Sequence, residues 1–262
     1  MGKFKKMKKV LICLFSFLFI ASATVAGGVL LSGSSYSVPV SESSGEEIQE
    51  NENLTNDNNN ATSNATEPLN DGNWTGSGNY DTTFAGGTGT ESDPYLISTA
   101  RQLAGLAYWT NISTSTTYNS SSVYYRQTAD IDLSAYWWDA IGTSTSSTYY
   151  FQGHYDGDGH TVSGVFTSAS GSYQGLFGYV RGASSINRAE ISNVGVINSN
   201  IQGYQYVAGI AGRAQYTNIT NCYNTGSVTG SDRYVGGVVG YNRNSSTVSN
   251  SYNTGNVTST YT

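Results

Sequence analysis

Lysine is absent from this 262-residue chain after Lys9, and only two His and two Cys are present. Cys13 lies in an N-terminal apolar run, which leaves Cys222 alone in the body. An intramolecular disulfide and a cysteine-based zinc site are therefore excluded. Cys222 stands where the neighbouring copies of its repeat carry Val194 and Ser251, and no His lies within that repeat to activate a thiol. It reads as a small core residue rather than a nucleophile. Charge is scarce too. Residues 75–262 hold seven Arg against ten Asp plus Glu, so the body is at −3 within a total of −6. With the Lys-rich run confined to the first nine residues, a nucleic-acid partner is not expected. Residues 75–262 also contain 25 of the 31 Gly and 20 of the 21 Tyr. That is too aromatic for disorder and too poor in helix formers for a bundle, so the body is expected to be all-β.

One unit is written about three times between Tyr173 and Thr258. Gly175-Leu176-Phe177-Gly178, Gly209-Ile210-Ala211-Gly212 and Gly237-Val238-Val239-Gly240 are spaced 34 and 28 residues apart. Downstream of each comes Ile191-Ser192-Asn193, Ile219-Thr220-Asn221 or Val248-Ser249-Asn250, spaced 28 and 29 apart. The blocks Asn221–Thr229 and Asn250–Thr258 agree at seven of nine positions. Self-similarity at this period marks a solenoid or array. In a parallel solenoid, equivalent residues stack about 4.8 Å apart. Three apolar ladders are expected: Leu176, Ile210 and Val238; Ile191, Ile219 and Val248; Ile201, Val228 and Val257. Asn193, Asn221 and Asn250 are expected to form an amide ladder at a bend, since Asn tolerates left-handed backbone and bonds its neighbours.

Before the repeats, the chain divides into residues 1–31, 32–73 and a body at 74–262. Lys3, Lys5, Lys6, Lys8 and Lys9 precede an uncharged run from Val10 to Leu31, which reads as a secretory address. Ala21-Ser22-Ala23 and Thr24-Val25-Ala26 are candidate cleavage sites. The run is also long enough, against the roughly 20 residues that span a bilayer, to remain as a signal-anchor, the only membrane contact expected. Either way the body is secreted or displayed at the cell surface. Residues 32–73 carry eight acidic side chains and no basic one, and are expected to be a disordered spacer. Within the body, Thr99 and Gln102 have capping-box spacing, and Leu103, Leu106 and Ala107 share one helical face. A helix of about ten residues is expected there, covering the first open edge of the sheets.

Ala129-Asp130-Ile131-Asp132-Leu133, Trp138-x-x-Ile141-Gly142 and Phe151-x-Gly153-x-Tyr155-Asp156-Gly157-x-Gly159-His160-x-Val162-x-Gly164, followed by Gly175-Leu176-Phe177-Gly178, resemble bacterial surface proteins of the GLUG-motif family. The resemblance covers about Asp93 to Thr258, with the repeats proper at about 173–262. It implies a right-handed parallel β-helix on a secreted or surface-displayed protein. Some relatives are large adhesins, and others carry such repeats beside an immunoglobulin-A peptidase domain. That peptidase's His-Glu-x-x-His is absent here, so its activity does not carry over.

No catalytic, cofactor or metal residue is assigned from the sequence. Asp156 and Asp158 have the spacing of half a calcium loop, but the third acid and the terminal Glu are missing, and a turn accounts for the same residues. Carbohydrate chemistry on a β-helix needs paired carboxylates on one face. Asp130, Asp132, Asp139, Asp156 and Asp158 all lie in the lead-in, and the repeats add Glu190 and Asp232. Tyr206 with Tyr234, and Tyr223 with Tyr252, are expected to form two tyrosine ladders that either offer a glycan or extracellular protein a contact face or simply shield the sides of the solenoid. Trp137 and Trp138 are expected to point one outward and one inward. The function expected is a non-catalytic adhesion or interaction module, with a structural stalk or fragment of a larger adhesin, and a carbohydrate-active enzyme, as alternatives. No capping element follows the last repeat, so the expectation is either a longer natural chain or an end that docks to a partner or to another copy of this chain.

Overall fold

A constant repeat length brings equivalent strands side by side, coil upon coil. The computed structural model describes residues 67–112, 116–143 and 149–261. Its longest sheet runs Tyr95–Ile97, Tyr124–Gln127, His154–Asp156, Ala189–Ser192, Thr217–Thr220 and Thr247–Ser249. A second runs Ile131–Asp132, Thr161–Ser163, Gly195–Ile197, Tyr223–Asn224 and Tyr252–Asn253. Asn200–Gly203, Ser227–Gly230 and Val257–Ser259 form a third, and Phe177–Arg181, Ala211–Gln215 and Val239–Arg243 a fourth. Val207–Ala208 pairs with Val235–Gly236 in a short fifth. The neighbours within each sheet are parallel. The chain visits each sheet once per coil and then starts the next coil, which makes it a parallel β-solenoid of about five turns.

The ladders fall where the repeat puts them. Ile191 pairs in register with Ile219, and Ile219 with Val248. Ile201, Val228 and Val257 are in register likewise. Leu176 and Ile210 are fully buried, and Val238 packs against the same core. Each fully buried aliphatic side chain contributes about 1.5–3 kcal/mol, so a coil is held mainly by its neighbours. Toward the N-terminus the Ile191 ladder continues through Tyr155 and Tyr125, both buried.

Corners are set by residues that tolerate left-handed backbone. Asn193, Asn221 and Asn250 have φ of 55°, 55° and 48°. Asn221 Nδ2 donates to Asn193 Oδ1 at 2.9 Å, and Asn193 Nδ2 donates to Asp156 Oδ1 at 2.8 Å. The amide ladder thus runs from Asn221 through Asn193 to Asp156, and Asn250 shares the left-handed corner. A second Asn column faces inward. Asn224, fully buried, donates to Asn253 Oδ1 at 2.7 Å and to Gly226 O at 2.8 Å, and accepts from Gly226 N at 3.2 Å. This column explains the first Gly of the second and third Gly-x-x-Gly blocks, Gly209 and Gly237, whereas a Cβ on Gly175 would meet the Ala208 carbonyl oxygen at 2.6 Å. A Cβ on Gly209 would overlap Asn224 Cγ and lie 2.5 Å from its Cβ. At the second, Gly212, a Cβ would overlap the Tyr206 carbonyl oxygen.

The single helix among the described residues, Ala100–Ile112, lies at the N-terminal end of the coils. Gln102 N donates to Thr99 Oγ1 at 3.2 Å, while the Gln102 side chain accepts from Ser98 N at 2.8 Å. Leu103, Leu106 and Ala107 are buried, as their spacing predicts. Asn111 fastens the helix to the stack, donating to Ala140 O and accepting from Gly142 N. The helix runs slightly past the predicted length because Thr110 is buried and Asn111 has these partners.

Residues 67–73 correct the boundary read at Trp74. Leu69 N and Asn70 N donate to Ser134 O and Ala135 O, and Asn73 bridges Trp137. Asp139 holds the segment through Asn73 Nδ2 at 2.6 Å and through the Thr75 hydroxyl. Backbone pairing, invisible in so polar a stretch, orders it. The signal segment expected at 1–31 and the spacer expected up to residue 66 lie outside the described residues.

Burial places Cys222 among the inward ladders, fully inaccessible, with its thiol directed at Thr220 O at 3.3 Å. That burial pushes the thiol up to about 11. In a Cys13→Ser chain, Ellman's reagent at neutral pH is expected to leave Cys222 unmodified until denaturant is added. Rapid labelling of the native protein would contradict the core assignment.

Candidate functional site

Tyrosine, not a catalytic group, marks the most distinctive surface. Tyr173, Tyr206 and Tyr234 occupy one corner in three successive coils, with φ of 62°, 57° and 68°. Left-handed backbone costs an L-residue about 1–2 kcal/mol, and a bulky side chain there is an outlier. Their rings stack at 4.8 Å and 4.8 Å, tilted by only 12° and 8°. Tyr206 and Tyr234 are the expected pair, and Tyr173 extends them by one coil. Tyr173 stands two residues before its Gly, whereas the others stand three before theirs, which hides it from a spacing search. Tyr223 and Tyr252 stack as expected, at 5.2 Å and 5°. Stacking has a consequence for binding. Inner rings cover one another's faces, so along the ladder a ligand meets edges and hydroxyls.

At the N-terminal end of the ladder lies a groove of about 320 Å³, lined by Asn73, Trp137, Asp139, Ser168, Tyr173 and Gln174 among others. Trp138 points inward, its Nε1 donating to Leu176 O at 3.1 Å, while Trp137 is half-exposed on the groove wall. The expected alternation of the two Trp is thus present. A groove of this size, with aromatic walls and a few amides, hydroxyls and a carboxylate, suits a small polar ligand with one apolar face.

Beside the ladder, the Arg213 guanidinium carbon lies 4.6 Å from the Tyr179 ring centre, 5.7 Å from Tyr206 and 5.9 Å from Tyr241. Arg213 Nε is buried without an acceptor, a desolvation that costs about 1–3 kcal/mol and is offset here by the ring faces. Tyr179 OH donates to Gln215 at 2.9 Å. Burial raises the Tyr179 and Tyr206 phenols above their ordinary value, so both stay neutral. Arg213 carries no repeat signature, because its register partners are Tyr179 and Tyr241.

A second groove, of about 210 Å³, lies on the long sheet, with Glu91, Tyr124, Arg126, His154, Asp156 and Glu190 among its walls. His154 stacks on Tyr124 at 4.2 Å, and its Nδ1 is 3.3 Å from Glu190 Oε2 without hydrogen-bond alignment. The two come together only through coil register. The other acids serve turns. Asp130 and Asp132 both face outward, accepting from Thr161 N and Ser134 N. The Thr161 N–H holds the Asp130 carboxyl below its usual range, with a smaller contribution from His160. Asp156 accepts from Asp158 N at 2.9 Å, and Asp158 is itself left-handed at 50°. Asp232 accepts from the Arg233 backbone N–H. Among the described residues, no three of His, Cys, Asp and Glu converge on a metal-binding position.

Comparison with known proteins agrees with this architecture. The GLUG motif matches residues 203–229 and 231–258. Halomucin of Haloquadratum walsbyi is 35% identical over 164 residues, covering 59% of this chain and 2% of halomucin. A protein of Evansella cellulosilytica described as a candidate Gly-rich membrane protein is 35% identical over 104 residues, covering 37% of this chain and 11% of the relative. The crystal structure of a candidate immunoglobulin A1 protease from Bacteroides ovatus is similar at a TM-score of 0.53 and 27% identity, over 66% of this chain and 51% of that one. The chain thus matches a small part of the two sequence relatives and about half of the structural one. The two matched spans are the coils in which Asn224, Asn253 and the paired glycines interlock, so the chain carries two GLUG-motif repeats.

Proposed function

We propose that this chain is a non-catalytic interaction module, secreted or displayed at the cell surface, that holds an extracellular glycan in the groove between Trp137 and the tyrosine ladder. The observation that carries this reading is the left-handed corner itself. Three successive coils accept backbone strain to keep Tyr173, Tyr206 and Tyr234 in one stack at the surface, and strain of this kind concentrates at functional sites. An indole and a phenol ring flanking amide and hydroxyl groups is an arrangement that takes a pyranose, apolar on its ring face and polar at its edge. The names of the relatives, a mucin and a membrane protein, support a place outside the cytoplasm. So does the basic-then-apolar start of the chain.

The test is retention of the purified chain on a panel of immobilised glycans and matrix proteins, with mass spectrometry of the panel for new products. Binding without cleavage is expected, and Trp137→Ala is expected to weaken it about tenfold or more while the melting temperature stays near the parent's. Indifference of every panel member to Trp137→Ala and Tyr173→Ser would instead favour a stalk. New cleavage products lost with Asp156→Asn or Glu190→Gln would make the His154 groove an active site.

A further inference from the structure

We infer that the sheet face beside the tyrosine ladder selects acidic glycans, through Arg181 and Arg243 set on either side of Gln215. This rests on the glycan-binding reading above and names its ligand class. Gln215 is the register partner of both Arg181 and Arg243, so the two arginines share one column, two coils or about 10 Å apart. Arg213, between Tyr179 and Tyr241, adds a third positive charge two residues before Gln215 on the middle strand. The three strands of this face, Phe177–Arg181, Ala211–Gln215 and Val239–Arg243, contain no Asp or Glu. Among the described residues, the Arg–carboxylate pairs lie elsewhere, at Arg101–Asp81 and Arg233–Asp232.

Three of the body's seven arginines thus gather on one face, unpaired with any carboxylate, in a chain whose net charge is −6. An Arg surface that serves only solubility has no reason to exclude acids. A surface that meets carboxylates or sulfates gains from doing so, because the guanidinium fork binds such groups bidentately. The face is continuous with the groove: Tyr173 is 6.0 Å from Tyr179, Tyr179 is 5.4 Å from Tyr150, and Arg181 lies 5.0 Å from the Tyr150 ring. The groove itself holds Asp139, which disfavours an anionic unit there. The ligand that fits places a ring against Trp137 and its acidic groups on Arg181 and Arg243, as an extended acidic polysaccharide can.

Affinity electrophoresis of the full chain through gels containing polygalacturonate, dextran sulfate or neutral dextran tests this. Retardation by one or both acidic polymers is expected, together with weakening as salt rises, and the two polymers separate carboxylate from sulfate preference. Arg181→Gln with Arg243→Gln is expected to weaken it about tenfold, leaving the melting temperature and circular dichroism unchanged. A matched Arg188→Gln, Arg233→Gln control is expected to change it little. Equal retardation by neutral dextran, an unaffected Arg181/Arg243 variant, or an equal loss in the control would overturn the inference. Neutral-glycan binding that depends on Trp137 but not on these arginines would leave the interaction module standing. No retention on any glycan would remove both.

Discussion

Ile219→Asp is expected to abolish cooperative melting of the solenoid. Ile219 is fully buried, with Ile191 in register on one side and Val248 on the other. The substitution removes about 1.5–3 kcal/mol of apolar burial. It also puts a carboxylate among aliphatic side chains with no cation in the ladder, a penalty of several kcal/mol. Against a total stability of about 5–15 kcal/mol, that sum is decisive. In a solenoid each coil contacts only its neighbours, so an interior lesion weakens the interface on both sides. Val248→Asp supplies the contrast. Val248 occupies the same ladder but is 40% exposed in the last coil, and a cost of about 1 kcal/mol is expected. Circular-dichroism melts of the two variants are the check; an Ile219→Asp protein that melts like the parent would mean the ladder does not face inward.

How much of this was legible depended on whether coil length stayed constant. From Ile191 onward the spacing holds at 28 and 29 residues, and each expected register there is present, as is the Asn193–Asn221 bend. Upstream the ladder continues through Tyr155 and Tyr125, where an aromatic replaces an aliphatic residue and the repeat no longer shows. Residues 67–73 read as spacer because their order comes from backbone pairing with 134–137, which leaves no trace in side-chain polarity. The proposed binding surface was half visible. Tyr206 and Tyr234 repeat in step, but Arg213 has Tyr at both equivalent positions, and the approach of His154 to Glu190 depends on register across a whole coil. Stacking also changes what the tyrosines offer, since the ring faces are used within the ladder. That shifts the expected contact toward Trp137.

Asn224 is the residue whose polarity most misleads, and it couples to the glycine that repeats most visibly. Asn is mostly exposed in folded proteins, yet this side chain lies inside the solenoid, fully buried. There it closes both hydrogen-bonding groups of Gly226 and reaches Asn253 in the next coil. Asn224→Gly is expected to cost about 2–4 kcal/mol, because it leaves buried backbone groups without partners and adds a flexible residue. Gly209→Ala is expected to cost about 1–3 kcal/mol through overpacking. Its new methyl group would overlap Asn224 Cγ and come within 2.5 Å of Asn224 Cβ and 2.6 Å of Gly237 O. Removing the Asn side chain relieves the first two contacts and leaves the third. The double variant is therefore expected to be more stable than the sum of the singles by about 1 kcal/mol or more, within the range for residues in contact. Urea denaturation of the four proteins in the cycle measures this. Additivity within about 0.5 kcal/mol would assign the glycine to the Gly237 carbonyl, so that stacking of neighbouring coils, and not the inward Asn, would be what the first Gly of the repeat accommodates.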